Sequence, residues 1–295
     1  MPTVPKIADF LLYLRTEKKL SVSAIKGYRS MLAAVFGFNH KSVFESQVLT
    51  QLIRSFAIEV PRRTFSKPSW DLDKVLSYLA SDKFQDMGSI SLDLLTKKTL
   101  FLVALATAKR LGELQAVSSV IATNQDDFML SYLPEFLAKT ETSESPVNRV
   151  FRLKSLSSLV GNERERTLCP VRALKFYLDR VKSQSRPRNL FVSVQNPSRP
   201  MTRGAMSFFL RSVIIEADAI NDPAEEGRRS TGPHSIRGVS TSAQFLRNMS
   251  VATVLETACW KSSSVFTTFY LKDVQFSSEG VHSLGPFVAA GGFVT

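Results

Sequence analysis

The 295-residue chain is long enough for one large domain or two modest ones, and its 44% hydrophobic content excludes a mainly disordered protein. No run of about 18 apolar residues occurs, so we expect no membrane span and no membrane partner. The formal net charge of +12 favours a polyanionic partner, because a surplus of cations attracts phosphates.

The two cysteines limit the chemistry further. Cys169 and Cys259 form neither a metal-ligand spacing nor a disulfide framework. We therefore expect no metal site and a reducing intracellular compartment. The first residues lack the charged-then-apolar pattern of a secretory signal, so we do not expect one.

Helical periodicity marks the first 60 residues. Apolar residues recur at helical spacing in three stripes, within 7–14, 25–36 and 49–56. They predict a helical domain over residues 1–60. Turn-forming residues and cations then replace the stripe, which predicts a linker over 61–69.

Four cations in this region are candidate phosphate contacts. Lys26 and Arg29 lie one helical turn apart, after a predicted helix cap at Ser21 or Ser23, and Arg62 and Arg63 lie in the linker. For Lys26 and Arg29, a plain solvated helix face is an equally good interpretation.

The next apolar stripes predict a helix through 72–79 and a long helix from about Leu92 through Val117. Arg110 and Glu113 come near the end of the long helix, in apolar surroundings. A buried arginine is costly unless it is paired, so we expect Glu113 to orient or neutralise Arg110. The alternative is an ordinary Arg–Glu pair on a helix surface.

From about residue 126 the apolar spacing changes to two, which predicts a small antiparallel sheet with a polar hairpin over 140–149. Lys139 lies at the base of this hairpin, where it is free to swing towards a bound polyanion, and a plain solvated lysine at a strand end is the alternative. Lys154 is the rival candidate for the polyanion contact. The alternating residues are Phe128, Leu130, Tyr132, Phe136 and Ala138.

Helix-starting residues divide the second half of the chain. Pro170 opens one helix, and Thr202 caps another that carries two candidate phosphate contacts, Arg203 and Arg211. A short strand is expected over 190–192. A further helix is expected to continue from Arg237 to about residue 247, and a cap at residue 250 starts the next.

Several residues that suit phosphate chemistry lie close together near the end of the chain. His234 and Arg237 are three residues apart, so they share a helical face and suit the oxygens of one phosphate. Trp260 follows, and then Tyr270, a candidate nucleophile for the held phosphorus. Because Tyr270 also shares a helical face with apolar neighbours, an aromatic core residue is the alternative.

Five elements in this order resemble the tyrosine recombinases, the phage integrase family. They are the early arginine in Arg110-Leu-Gly-Glu113-Leu, the hairpin lysine Lys139, the His234-x-x-Arg237 pair, Trp260 and Tyr270. The stretches Pro170-Val-Arg-Ala-Leu and Trp260-Lys-Ser-Ser-Ser-Val-Phe are most similar to the recombinases of DIRS-type and Ngaro-type retrotransposons.

The resemblance implies a mainly α fold with a small antiparallel β-sheet. The helical domain over 1–60 corresponds to a core-binding domain that clamps DNA. An α+β catalytic domain is then expected over 70–272, and the tail over 273–295 is a candidate assembly arm.

The resemblance also implies a mechanism without cofactor or metal. Tyr270 attacks the scissile phosphate, forms a 3′-phosphotyrosyl link and releases a 5′-hydroxyl. Arg110 and Arg237 stabilise the charge on phosphorus, and Lys139 protonates the leaving oxygen. His234 and Trp260 contact the phosphate.

The implied partners are double-stranded DNA and further copies of the chain, as a dimer on one site and a tetramer in synapsis. A nuclear location follows if the chain belongs to a eukaryotic mobile element. Two alternatives stay open: a type IB topoisomerase, which shares the chemistry but relaxes one duplex as a monomer, and a domesticated DNA-binding module without catalysis.

Overall fold

The computed structural model describes residues 2–59, 70–119, 122–124, 127–139, 141, 142, 149–156, 166–183, 185–221, 234–246 and 250–258. The contact pattern divides the chain into two units, 1–66 and 67–295. The predicted linker over 61–69 lies outside the described residues, so the predicted domain boundaries stay predictions. Each unit is described by itself.

The N-terminal unit packs three helices around one core. They are α1 (Val4–Thr16), α2 (Val22–Phe44) and α3 (Gln47–Glu59). The Ser21 hydroxyl caps α2 by accepting a hydrogen bond from the Ala24 amide at 3.2 Å, which confirms one of the two predicted caps. The buried side chains are Ile7, Leu11, Leu14, Ile25, Phe44, Leu49, Ile53 and Phe56.

The C-terminal unit is built around one buried helix, α5 (Leu92–Thr107), on which α7 (Pro170–Arg180), α8 (Arg203–Asn221) and α9 (His234–Leu246) pack. The α5 side chains from Leu100 to Leu105 are almost fully buried, as their continuous apolar character predicts. The remaining helices are α4 (Leu72–Ala80), α6 (Leu111–Gln115) and α10 (Val251–Thr257).

The predicted single helix from Leu92 through Val117 is wrong, because the chain breaks between α5 and α6. Ala108 adopts a left-handed conformation with φ of 49°, which ends α5. Arg110 is then extended, with φ of −71° and ψ of 156°, and stands as the N-cap of α6. Apolar spacing continues across this short break, so periodicity alone did not reveal it.

A three-stranded antiparallel sheet flanks the helices and confirms the predicted fold class. Its strands β1 (Ala122–Asn124), β2 (Asp127–Ser131) and β3 (Val150–Leu153) are ordered β1-β2-β3. In the β2–β3 register, Phe128 is opposite Leu153, and Ser131 is opposite Val150.

Two predicted strand segments are wrong. The alternation at Phe136 and Ala138 lies in an irregular segment after β2, and residues 190–192 make only an isolated bridge between Val192 and Pro200. Both segments are held by turn and side-chain hydrogen bonds instead of a continuous ladder.

Side-chain caps start the later helices as predicted. The Thr202 hydroxyl accepts from the Ala205 amide at 3.1 Å, and the Ser250 hydroxyl accepts from the Thr253 amide at 3.1 Å. Pro170 occupies the first turn of α7, where its missing N–H costs nothing. No helix within the described ranges combines the length and apolarity that a bilayer crossing requires.

Two adjacent lysines on α5 have opposite environments. Lys98 is fully buried; its Nζ donates to the Phe84 carbonyl at 3.3 Å, and burial, aided by the charge of Arg172, lowers the pKa of Lys98 to about 8. Lys97 instead pairs with Glu216 at 2.8 Å and with Asp93 at 3.2 Å.

Replacing Lys98→Met is expected to stabilise the protein by roughly 1–2 kcal/mol at pH 7, because it removes a buried ammonium. The lysine pKa falls from 10.5 in the unfolded chain to about 8 in the folded protein. The gain is therefore fully present below pH 8 and disappears as the pH rises towards 10.5. Urea unfolding at several pH values measures it.

The matched control is Lys97→Met, which leaves Glu216 and Asp93 without their shared cation and is expected to destabilise the protein by roughly 1–2 kcal/mol. Equal destabilisation by both substitutions would contradict this account of Lys98.

Candidate active site

A buried carboxylate, Glu113, is the centre of the candidate site. It stands in the first turn of α6, where the Arg110 amide donates to its Oε2 at 2.8 Å. Arg110 Nη1 donates to Oε1 of the same side chain at 2.7 Å. The Glu113 side chain is 6% exposed and that of Arg110 is 25% exposed. The buried carboxylate therefore holds one side of the arginine while another side faces solvent.

Arg237 reaches the same carboxylate from α9. Its Nη1 lies 3.4 Å from Glu113 Oε2 and donates to the Ala108 carbonyl at 2.8 Å, while its Nη2 donates to the Ala258 carbonyl. The side chain is 4% exposed. The left-handed turn at Ala108 thus ends α5 and presents a carbonyl to Arg237.

The two guanidiniums and one carboxylate carry a net positive charge. The single negative charge of Glu113 balances one of the two arginine charges, which lowers the cost of burying Arg237. Glu113 cannot balance the other arginine charge as well. Positive charge in a partly desolvated site attracts anions more strongly than it would in water. The arrangement therefore suits an anionic group such as a phosphate.

This charge lies in a cleft of about 620 Å³. Charged side chains dominate its polar lining: Lys109, Arg110, Glu113, Lys139, Arg203 and Arg237. The structure thus brings together five predicted residues: Arg110, Glu113, Lys139, Arg203 and Arg237.

The rival lysines are placed differently. Lys139 is exposed and lines the cleft, whereas Lys154 directly follows β3 and is not among the described residues that line it. This placement favours Lys139 for any role in the cleft.

The two α8 arginines also differ. Arg203 Nε donates to Gln115 Oε1 at 2.9 Å. Its guanidinium carbon lies 3.4 Å from where a Cβ would stand at Gly112, so Arg203 packs against the start of α6. Arg211 is exposed on the same helix and does not line the cleft.

Sequence reasoning missed Lys109. Its side chain is 7% exposed, and its Nζ lies 4.7 Å from the ring centroid of Phe151 and 5.9 Å from that of Tyr132. These distances are typical of cation–π contacts. The one available signal was its position directly before Arg110.

In the N-terminal unit, the predicted contacts line a separate groove of about 500 Å³ between α2 and α3. Lys26 is exposed, and so is Arg54, which sequence reasoning missed. Arg29 Nη2 donates to the Phe44 carbonyl at 2.6 Å and to the Thr50 hydroxyl at 3.2 Å, so it ties α2 to the start of α3.

The other predicted site residues stay predictions. Arg62, Arg63, Trp260 and Tyr270 lie outside the described residues. His234 belongs to α9, three residues before Arg237, and its side chain lies outside the description.

No family model and no curated protein matches the chain. Solved structures do. The chain is 16% identical to the Tn1549 transposon integrase in complex with transposon right end DNA, with a TM-score of 0.55 over 96% of this chain and 84% of that chain. The same integrase in complex with circular intermediate DNA gives 14% identity and a TM-score of 0.55 over 96% and 84%.

A lambda integrase dimer bound to a COC′ core site is 18% identical, with a TM-score of 0.47 over 92% of this chain. The chain spans 65% of that lambda integrase chain. The likeness to the Tn1549 integrase concerns the fold alone, which in this chain is mostly helical with a small antiparallel sheet.

Replacing Glu113→Gln is expected to destabilise the protein by roughly 3 kcal/mol, because it removes the carboxylate charge that faces the buried Arg237 guanidinium. Glutamine keeps the shape and can still accept from the Arg110 amide, so the loss reports charge. Urea unfolding measures it. Glu135→Gln, at an exposed position, is the control and should change stability by less than about 0.5 kcal/mol. A Glu113→Gln protein as stable as the parent would contradict the shared-carboxylate account.

Proposed function

We propose that the protein is a tyrosine recombinase that breaks and rejoins DNA through a covalent phosphotyrosyl intermediate. One observation carries the proposal: Arg110 and Arg237, 127 residues apart in sequence (237 minus 110), meet on Glu113 in a cleft that Lys139 also lines. The fold of a DNA-bound integrase supports it.

The arginines would hold the scissile phosphate. Negative charge builds on the non-bridging oxygens as the phosphorus becomes pentacoordinate. Preorganised donors in enzyme active sites typically stabilise such charge by several kcal/mol. Arg110, with an exposed face, would contact the phosphate directly. Arg237, fixed by two carbonyls and Glu113, would supply the charge behind it.

The resemblance to the tyrosine recombinases assigns the bonds that form and break. The Tyr270 oxygen forms a bond to phosphorus at the 3′ side of the break, and the bond from phosphorus to the 5′-oxygen breaks. The tyrosine proton passes to a base, for which His234 is the candidate, and Lys139 donates a proton to the departing oxygen. Trp260 would contact the phosphate. Because the new ester replaces the old one, resealing needs no cofactor and no metal.

The partners follow from the same proposal. Double-stranded DNA is the substrate, and the cleft, Lys26 and Arg54 supply cations that suit its backbone. Assembly as a dimer on one site and a tetramer in synapsis rests on the resemblance of the sequence motifs. Integration of a DIRS-type or Ngaro-type mobile element, in a nucleus, rests on the wording of those motifs alone.

Tyr270→Phe is expected to abolish covalent attachment to DNA, since phenylalanine has no nucleophilic oxygen. The probe is a pool of nicked duplexes with randomised sequence, whose short released strand diffuses away and prevents resealing. Wild type should give a protein–DNA band on a denaturing gel, and Tyr270→Phe should give none. Tyr13→Phe, an exposed tyrosine of α1, is the matched control and should retain the band.

A band that persists in Tyr270→Phe would contradict the nucleophile assignment, and no band in wild type would count for the non-catalytic DNA-binding module. Strand exchange between two duplexes, recovered by sequencing, is expected of a recombinase. Relaxation of supercoiled DNA without any exchange would instead favour the type IB topoisomerase.

A further inference from the structure

The segment that carries Lys139 is irregular, yet it is fixed at several points. It follows β2, and the Leu133 amide donates to the carbonyl of Ala116, the residue directly after α6, at 2.8 Å. The Phe136 amide donates to the Leu133 carbonyl at 3.0 Å and closes a turn. The start of the segment is therefore tied to the helix that Arg110 caps.

Arg149, directly before β3, holds the turn from one side. Its Nη2 donates to the carbonyls of Leu133 at 2.9 Å, Pro134 at 3.2 Å and Phe136 at 2.8 Å. Its own carbonyl accepts from the Tyr132 amide at 3.1 Å. One guanidinium thus donates to three carbonyls of the turn and stabilises it, although the turn belongs to no strand.

Glu141 passes this restraint to the residue before Lys139. Its Oε1 pairs with Arg149 Nη1 at 3.0 Å, and its Oε2 accepts from the Ala138 amide at 3.0 Å. Its amide donates back to the Ala138 carbonyl at 2.9 Å. The Glu141 side chain is 10% exposed and that of Arg149 is 35% exposed, so the carboxylate is largely shielded while the arginine is partly open to solvent. We name these two residues the Arg149–Glu141 clamp.

Ring contacts add a second restraint. The Phe136 ring lies 5.1 Å from that of Tyr132, which lies 5.5 Å from that of Phe151, and Lys109 lies over the last two. The segment is therefore held by the clamp and also by ring contacts that lead to Lys109, the residue directly before Arg110.

From this geometry we infer that Arg149 and Glu141 are positioning residues for Lys139 as the proton donor. The inference rests on the proposed function. A lysine side chain is long and flexible, so the place of its ammonium depends on how firmly its backbone is held. The clamp fixes the backbone at Ala138 while Lys139 stays exposed in the cleft. Without the clamp, the donor would meet the leaving 5′-oxygen less often.

The test uses a duplex recovered from the randomised pool and made in two forms, with oxygen or sulfur bridging phosphorus and the 5′-carbon. A thiolate leaves without protonation because a thiol has a pKa of about 8.5, far below that of an alcohol. A defect in proton donation therefore appears with the oxygen form and disappears with the sulfur form. Single-turnover cleavage rates are compared.

Arg149→Met is expected to slow cleavage of the oxygen form by about 10-fold, a part of the 10²–10⁴ that a positioned acid contributes. Its rate on the sulfur form should equal that of wild type. Glu141→Gln should show the same pattern, and Lys139→Ala a larger one. The matched control is Arg152→Met on β3. Arg152 Nε donates to Asp127 Oδ2 at 2.7 Å and has no part in the clamp, so this substitution should leave both rates unchanged.

Hydrogen exchange gives a readout that does not depend on cleavage. Peptides that span 133–142 should exchange faster in Glu141→Gln and Arg149→Met, with the rest of the protein unchanged. Should Arg149→Met prove unfolded by circular dichroism, Glu141→Gln decides, since it keeps the volume and one acceptor.

The outcomes separate the two proposals. A wild type that cleaves, with clamp variants that are equally slow on both forms or unaffected on both, would overturn this inference and leave the proposed function standing. A wild type that attaches to no duplex in either form would overturn the proposed function and the inference with it.

Discussion

The candidate site depends on one shared carboxylate. Glu113 accepts from the Arg110 amide, pairs with the Arg110 guanidinium and compensates the buried Arg237. Removing one partner of such a buried set leaves an uncompensated charge, which is far more costly than the loss of a surface ion pair. The contact with Glu113 that allows Arg237 to be buried therefore also fixes the positions of the two guanidinium groups in the cleft.

The break between α5 and α6 serves this interaction. An uninterrupted helix would place Arg110 and Glu113 on a shared face and would leave the Ala108 carbonyl bonded within the helix. The left-handed Ala108 frees that carbonyl for Arg237, and the extended Arg110 points its amide at Glu113. Backbone strain of about 1 kcal/mol at one residue thus supports a polar centre that joins α5, α6 and α9.

Apolar periodicity predicted the helical N-terminal unit, the buried α5 and the antiparallel sheet, because each buries a regular face. It did not predict the end of α5 or the irregular segment around Phe136, since both are set by hydrogen bonds between distant residues. For the site, the resemblance of the sequence motifs singled out Arg110, Lys139 and Arg237, and the three-residue spacing added Glu113 as the partner of Arg110. Lys109 was missed, because only tertiary packing places its ammonium over the rings of Phe151 and Tyr132.

The central claim is that this cleft holds a phosphodiester which becomes bonded to Tyr270. The most direct measurement is mass spectrometry of the protein after reaction with DNA, nuclease treatment and trypsin digestion. The account predicts a nucleotide adduct on the peptide Ser262–Lys272, joined through a 3′-phosphate to Tyr270, with a free 5′-hydroxyl on the other DNA end. An adduct on any other residue, or a 5′-phosphate linkage, would contradict it.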